Sequence, residues 1–222
     1  MKIEENIKDF GEVIFKKDEN HPGIYMLNII GEIEGHDVLS SSTKSTKYEH
    51  IMPKLAAIDL NEDIDGLLIL LNTVGGDVEA GLAIAELIAS LNKPKVALVL
   101  GGSHSIGVPI AVSADYTYIV PTGTMVVHPV RLNGTVIGAK QTFDYFKQIQ
   151  DRIVSFITSH ASISEERLTK LMTETQLLSK DIGTILVGKQ AVEEGIVNET
   201  GGIHDAFLKL ISLMKNNDNS KE

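Results

Sequence analysis

The chain has 222 residues, 43% of them hydrophobic and 23% charged, a balance that is typical of one folded domain with a full core. Its 30 acidic and 20 basic residues give a net charge of −10, which argues against nucleic acid or an anionic membrane surface as the main partner. Cysteine is absent, so disulfides and thiolate metal sites are excluded.

The other compositional features predict a cytoplasmic protein that needs no cofactor. Residues 1–10 lack the apolar core of a signal peptide, and no run reaches the roughly 18 apolar residues that a transmembrane segment needs. The histidines form no ligand-spaced set, so we expect no metal site. The glycine pairs lack the further residues that phosphate-binding and dinucleotide-binding loops require.

Predicted strands and helices alternate along the chain. Residues 1–23 are charged and predict a mobile or partner-ordered arm, while 40–47 and 216–222 predict a polar loop and a disordered tail. Buried strands are predicted at 24–30, 66–72, 95–100, 116–120, 124–128 and 196–198. Helices are predicted at 48–58, 78–91, 141–160, 164–172, 191–195 and 207–214, with another beginning at 108. This order predicts a single α/β domain over 24–215 with a largely parallel core sheet.

Two glycine-rich turns link buried strands to buried helices. The first contains Gly75-Gly76, and the second runs from Gly101 to Gly107 and contains Ser105. Such turns leave backbone N–H groups without intrahelical partners, and a nucleophilic serine needs donors of this kind for the oxyanion that develops when it reacts. Taken alone, either turn could simply cap a core helix.

His128 ends the strand predicted at 124–128, directly before Pro129. A histidine in this place can be a hydrogen-bonded structural residue or a general base, and the residues alone leave both open. An Asn-Gly pair at 133–134 predicts a hairpin turn.

The helix predicted at 141–160 carries an apolar stripe at helical spacing. Its members are Phe143, Phe146, Ile149, Ile153 and Phe156. On a monomer this stripe would form a large exposed apolar patch, and such patches mark interfaces. We therefore expect a homo-oligomer.

Five segments together carry a resemblance to a known family. They are Asn72-Thr73-Val74-Gly75-Gly76, Ala80-Gly81-Leu82-Ala83-Ile84, Gly101 with Ser105-Ile106-Gly107, Pro121 with Thr124-Met125-Val126-Val127-His128-Pro129, and Glu194-Gly195-Ile196-Val197. In this order and spacing, over about residues 24–200, they resemble the Clp (caseinolytic) peptidase proteolytic-subunit family. Other details point to a divergent branch of that family.

The resemblance implies a ClpP/crotonase-like fold with a protruding helical handle at about 130–180. It implies a serine endopeptidase that hydrolyses peptides or unfolded proteins inside a ring or double ring of subunits. Ser105 would be the nucleophile, His128 the general base, and the backbone N–H groups of Gly75 and Ile106 the oxyanion hole. The helix from Gln141 onward would interlock two rings.

Three departures from the family pattern stand out. Ser103 replaces the alanine that the family carries two residues before the nucleophile, so it is a rival hydroxyl. The segment 173–184 differs from the family's pattern around its third catalytic residue, an aspartate. The arm and the loop at 40–47 differ near surfaces where the family docks an AAA+ unfoldase, so an ATPase partner stays an open question.

The orienting acid has four candidates: Glu174, Asp181, Glu193 and Glu194. Glu193 and Glu194 match ordinary solvated charges of the family, and Glu174 ends a helix that should face outward. Asp181 lies in the connection that returns from the handle to the core and is followed by apolar residues. We therefore expect Asp181 to orient His128, with a surface turn as the alternative.

Two other functions remain open. A crotonase-type acyl-CoA enzyme would use a similar fold and a Gly-Gly oxyanion turn, although it does not need a serine paired with a strand-end histidine. An inactive ring scaffold or adaptor would keep the fold without the chemistry.

Overall fold

A computed structural model describes residues 12–131, 138–175 and 182–219, and these form one nine-stranded mixed sheet with seven helices. The strands are β1 (Val13–Phe15), β2 (Ile24–Glu34), β3 (Ser45–Lys47), β4 (Gly66–Gly76), β5 (Lys95–His104), β6 (Tyr116–Ile119), β7 (Thr124–Val127), β8 (Thr184–Val187) and β9 (Glu199–Thr200). The helices are α1 (Tyr48–Leu60), α2 (Val78–Ser90), α3 (Gly107–Val112), α4 (Ala139–His160), α5 (Glu165–Thr173), α6 (Lys189–Glu193) and α7 (Ile203–Asn219).

The centre of the sheet is parallel, as the alternation of strands and helices predicts. The main strand order is β1-β2-β4-β5-β6-β9, and α1, α2 and α3 lie on the connections between β2, β4, β5 and β6. A helix on each connection returns the chain to the same end of the sheet, so consecutive core strands run in one direction. Only β1 with β2 and β7 with β8 pair antiparallel among the described strands. The predicted α/β fold is confirmed.

Apolar layers cover both faces of the sheet. The larger cluster joins strand residues such as Leu27 and Ile69 to Leu55 of α1, Ile84 of α2 and Ile110 of α3. A smaller cluster on the opposite face packs α7 against the first halves of the strands. Its members include Leu68, Val96, Leu98, Ala206, Leu210 and Met214. The carboxyl ends of β4 and β5 extend beyond α7.

The strand register shifts near the carboxyl ends of β4 and β5. Gly31 pairs with Thr73 but Glu32 pairs with Gly75, so β4 has one extra residue, Val74. The pairing of β4 with β5 also shifts after Leu71. Bulges of this kind bend a strand and redirect its side chains, and they are frequent beside functional sites.

The apolar stripe of α4 divides into two parts. Ile149, Ile153 and Phe156 are buried in the chain's own core, whereas Phe143 is 67% exposed. The expectation of one continuous exposed stripe is therefore wrong for its second half, because that half packs on the domain that carries it. Arg152 holds this part of α4 to α2 through two hydrogen bonds to Glu79, at 2.7 and 3.0 Å.

Several shorter elements differ from the sequence predictions. Residues 13–15 of the predicted arm form β1 and pair with β2, and residues 45–47 of the predicted loop form β3. The strand predicted at 196–198 lies instead at 199–200, and β8 was not predicted. The hairpin predicted at 133–134, residues 1–11 of the arm and residues 220–222 of the tail lie outside the described residues.

Within 12–131, 138–175 and 182–219, no helix has the length and apolar character that crossing a membrane requires.

Candidate active site

Ser105 lies in a strained turn between β5 and α3. Its φ is +55°, the only positive φ of a non-glycine residue in the described ranges. The Ser105 N–H donates to the Val126 carbonyl at 2.8 Å, and the Ser105 carbonyl accepts from the Val108 N–H at 3.0 Å. These two bonds hold a left-handed conformation that a side chain disfavours. Strain of this kind, when observed, points to a functional residue.

Ser103 has a different environment. Its side chain is fully buried, and its hydroxyl donates to the Gly107 carbonyl at 2.7 Å. An added Cβ at Gly107 would lie 3.1 Å from the Ser103 hydroxyl oxygen, so the two residues are closely packed. The Ser103 hydroxyl therefore closes the β5–α3 turn from the core side.

A cavity of about 360 Å³ opens at this edge of the sheet. It is lined by Glu32, Val74, Gly76, Val78, Ser105, Ile106, Val108, Val127, His128, Val130, Arg131, Ile153, Ile157 and Met172. Ser105 and His128 therefore face one cavity, although α3, β6 and β7 lie between them in the sequence. The pairing of β5 with β7 brings them there, since His104 lies opposite Val126.

The hydrogen bond of the His128 ring defines its tautomer. Nδ1 lies 2.7 Å from the Pro129 carbonyl oxygen, which can only accept, so Nδ1 carries a proton. In the neutral ring, Nε2 is then the nitrogen with the free lone pair, as a general base requires. Among the described residues no hydrogen bond joins the Ser105 hydroxyl to this ring. In unliganded active sites, catalytic contacts are often long until substrate binds.

The backbone N–H of Gly75 is already engaged. It donates to the Thr73 hydroxyl at 3.1 Å, and that hydroxyl donates to the Gly31 carbonyl of β2 at 2.6 Å. The N–H of Asp77 donates to the Ile33 carbonyl at 2.9 Å, also on β2. The prediction that the Gly75 N–H serves the oxyanion hole conflicts with this geometry, because this N–H already donates to the Thr73 hydroxyl.

The backbone N–H of Gly76, which lies between those of Gly75 and Asp77 in the chain, points away from β2. Gly76 pairs with Ile33 of the parallel strand β2, and it is the following residue, Asp77, whose N–H donates to the Ile33 carbonyl. In a parallel pair of this kind, the N–H of Gly76 itself faces away from β2. The Gly76 N–H is therefore directed toward β5, and Gly76 lines the cavity together with Ser105.

Ile106 is the other predicted oxyanion donor. It follows Ser105 directly, lines the cavity, and its N–H donates to no backbone acceptor among the described residues. Gly75 packs against the same turn, since an added Cβ there would lie 2.8 Å from Ser105 Cβ and 3.4 Å from the Ile106 nitrogen. A glycine is required at this position, both for this contact and for its φ of +89°.

The His104 ring lies beside the site, half-buried between β5 and β7. Its Nε2 lies 2.8 Å from the Thr124 hydroxyl, which links β5 to β7. Burial, and then the charge of His128, lower the pKa of His104. Burial therefore disfavours a positive charge on the histidine nearest to Ser105 in the sequence.

Three of the four candidates for the orienting acid form ion pairs with basic side chains. Glu194 accepts two hydrogen bonds from Arg167, at 2.7 and 2.5 Å, and Glu174 lies 3.8 Å from the same guanidinium. Glu193 pairs with Lys189 at 2.9 Å. Asp181, the predicted acid, lies outside the described residues. Two positions later, Gly183 packs on the base, since an added Cβ there would lie 2.8 Å from His128 Cβ.

Sequence reasoning missed Glu32, Arg131 and Thr73. The first two line the cavity, and Thr73 is buried and holds the Gly75 N–H. The position of Thr73 directly before the glycine pair was the available signal. Glu32 gave none, because its strand was predicted to end at residue 30. No group of three or more His, Asp or Glu side chains in the described ranges could hold a metal ion.

Comparisons with known proteins agree on one family. The sequence model described as Clp protease matches residues 26–203. The chain is 52% identical over 213 residues to the translocation-enhancing protein TepA of Halalkalibacterium halodurans, which spans 96% of this chain and 83% of that protein. It is 26% identical over 102 residues to the ATP-dependent Clp protease proteolytic subunit 1 of Protochlamydia amoebophila, covering 45% of this chain and 50% of that protein.

A solved structure shows the same fold. A mutant of ClpP1 from Listeria monocytogenes superposes with a TM-score of 0.63 at 22% identity, covering 82% of this chain and 93% of that one. The family match spans the whole stretch from β2 to the start of α7, and so includes both glycine turns and His128. The chain is a member of the Clp protease family.

Proposed function

We propose that the chain is a serine endopeptidase that hydrolyses peptide bonds of peptides or unfolded proteins. Ser105 is the nucleophile, His128 the general base, and the N–H groups of Gly76 and Ile106 form the oxyanion hole. Asp181 orients His128. The proposal rests above all on one observation: the strained Ser105 turn and the His128 ring, whose Nδ1 donates to the Pro129 carbonyl, line the same cavity.

The proposed reaction has two steps. Ser105 Oγ attacks the scissile carbonyl while His128 Nε2 takes the hydroxyl proton, and the two N–H groups stabilise the oxyanion. His128 then gives this proton to the leaving amine as the C–N bond breaks, which leaves an acyl-enzyme. Water, deprotonated by His128, attacks the ester and releases the second product and the serine.

The names of the relatives add to this proposal. One of them is called an ATP-dependent Clp protease proteolytic subunit, and an AAA+ unfoldase partner is accordingly proposed for this chain. Family membership argues against the alternative of a crotonase-type acyl-CoA enzyme. Cytoplasmic location stays a prediction.

An inactive ring scaffold or adaptor is the second candidate. One observation favours it: the described residues include no hydrogen bond between the Ser105 hydroxyl and the His128 ring. A serine whose hydroxyl is never activated would share the cavity with His128 but would not react.

Covalent labelling separates the two candidates. A fluorophosphonate bearing a fluorophore reacts with an activated serine and needs no particular peptide sequence. We expect one label per chain, located at Ser105 by peptide mass spectrometry, and lost in the Ser105→Ala variant but kept in Ser103→Ala. An unlabelled wild-type chain that is folded by circular dichroism would favour the scaffold.

A homo-oligomer, in the form of a ring or double ring, is part of the proposal. The first turns of α4 expose Phe143 at 67% and Tyr145 at 57%, an apolar surface that a monomer would leave in water. We expect multi-angle light scattering at micromolar concentration to give the mass of an oligomer. A Phe143→Glu/Tyr145→Glu variant should lower this mass, whereas Lys140→Glu, a charge change on the same helix, should not. A wild-type monomer would contradict the proposal.

A further inference from the structure

We propose that Glu32 is a specificity residue, which binds a cationic side chain of the substrate beside the scissile bond. This inference rests on the proposed peptidase function, and it concerns a residue to which neither the family resemblance nor the sequence analysis assigns a role. The preferred substrates are then peptide segments in which a lysine or arginine flanks the residue that is cleaved.

The first observation is the distribution of charge around the cavity. Among the described residues that line it, nine are Val, Ile or Met, Glu32 is the one carboxylate and Arg131 is the one guanidinium. In a lining this apolar, these two charged side chains have few competing polar groups. Because the surroundings have a low dielectric constant, an opposite charge is attracted more strongly there than on an open surface.

The second observation is that the Glu32 carboxylate has no ionic partner. In the part of the chain that the structure describes, it makes no salt bridge and no side-chain hydrogen bond. The nearby Glu34 is, by contrast, buried and satisfied by the Ser45 hydroxyl at 2.6 Å and by Lys47 at 3.3 Å. The structural role on this strand thus belongs to Glu34, and Glu32 remains available for a ligand.

The third observation is that the backbone of Glu32 is rigidly placed. Its N–H donates to the Lys44 carbonyl at 2.9 Å, and it pairs with Gly75 at the point where β4 gains its extra residue. The preceding Gly31 accepts the Thr73 hydroxyl at 2.6 Å. A carboxylate on this fixed strand lies beside the Gly75-Gly76 turn, next to the proposed oxyanion donor. A bound cation would therefore be held close to the reacting carbonyl.

The charge of the whole chain supports a cationic ligand. A net charge of −10 attracts basic peptide segments from a distance and repels acidic ones. The Glu32 carboxylate at the cavity adds to this attraction. An apolar residue of the substrate can fill the space near Ile153, Ile157 and Met172 while a neighbouring lysine reaches Glu32.

The test measures binding and hydrolysis separately. Three labelled short peptides share an apolar centre and differ only in flanking lysine, norleucine or glutamate, so norleucine keeps the lysine stem without its charge. Affinity is measured by fluorescence anisotropy on Ser105→Ala, which cannot acylate, with and without Glu32→Gln. Glu62→Gln is the control, since Glu62 is an exposed carboxylate just after α1, before the start of β4 and away from the cavity.

We expect Ser105→Ala to bind the lysine peptide about tenfold more tightly than the norleucine peptide, and more weakly as salt rises. Glu32→Gln should reduce this preference to within about twofold, Glu32→Lys should shift it to the glutamate peptide, and Glu62→Gln should leave it unchanged. Equal affinities for lysine and norleucine peptides, or an equal preference with and without Glu32, would overturn the proposal. If the preference is found but the wild-type chain hydrolyses none of the peptides, the cation site stands and the peptidase function fails.

Discussion

Replacing Ser105 with alanine is expected to reduce peptide turnover on the order of 10⁶-fold, because Ser105 is the one hydroxyl among the described residues that line the cavity. The oxyanion donors and the binding surface would remain, so a residual acceleration of roughly 10³–10⁴-fold over the uncatalysed reaction should persist. Turnover of a fluorogenic peptide under saturating conditions gives the measurement. Unchanged oligomeric mass and thermal unfolding would show that the loss is chemical.

Ser103→Ala is the matched control. The hydroxyl of Ser103 is buried and bonded to the Gly107 carbonyl, so its removal should cost stability, about 1 kcal/mol, and leave the chemistry intact. Turnover within a few-fold of the wild type is expected. The assignment of the nucleophile is refuted by the reverse pattern, in which Ser105→Ala remains active and Ser103→Ala does not.

Asp181→Asn should lower turnover on the order of 10⁴-fold with folding and assembly intact, if this residue is the orienting acid. An asparagine can present a donor where the aspartate accepts, so it favours the tautomer in which Nε2 is protonated and cannot act as a base. The substitution is compared with Glu174→Gln, which removes a carboxylate from the end of α5 that is close to Arg167. That control should change turnover little.

A small effect of Asp181→Asn on turnover would indicate that His128 is oriented by the Pro129 carbonyl instead. Nδ1 of His128 already donates to the Pro129 carbonyl, which by itself selects the tautomer with a free Nε2. A peptidase that keeps its activity within a few-fold would then work as a Ser-His dyad held by this backbone bond. A carbonyl stabilises the imidazolium less than a carboxylate does, so such a dyad would be the slower enzyme.

The core strands and helices were predictable because their hydrophobic patterns are strong. Leu68, Ile69 and Leu71 of β4 and Val96 and Leu98 of β5 are fully buried, and runs of this kind permit few alternatives. The short elements were harder to predict from the sequence. The strands β1, β3 and β9 are three or two residues long, and they form because a neighbouring strand supplies the hydrogen bonds.

Several features of the candidate active site could not be predicted from sequence patterns. The segment 101–107 predicts a serine turn and the family resemblance selects Ser105, but only the fold shows that Ser103 is buried while Ser105 lines the cavity. The glycine pair predicts backbone donors, yet the choice between Gly75 and Gly76 depends on which N–H is already bonded and which faces away from β2, and a bulge decides that. Likewise, helical spacing identifies the stripe of α4 but not which of its turns meet the domain's own core.

The left-handed turn at Ser105 also has a consequence for how this site can change over generations. The left-handed conformation costs a residue with a side chain about 1–2 kcal/mol of conformational free energy, whereas glycine adopts it without this cost. Once catalysis brought no benefit, a single substitution to glycine would relieve the strain and make the chain more stable. A serine at this position thus carries a standing thermodynamic disadvantage, which an enzyme offsets by using its hydroxyl and which a ring that is only a scaffold does not.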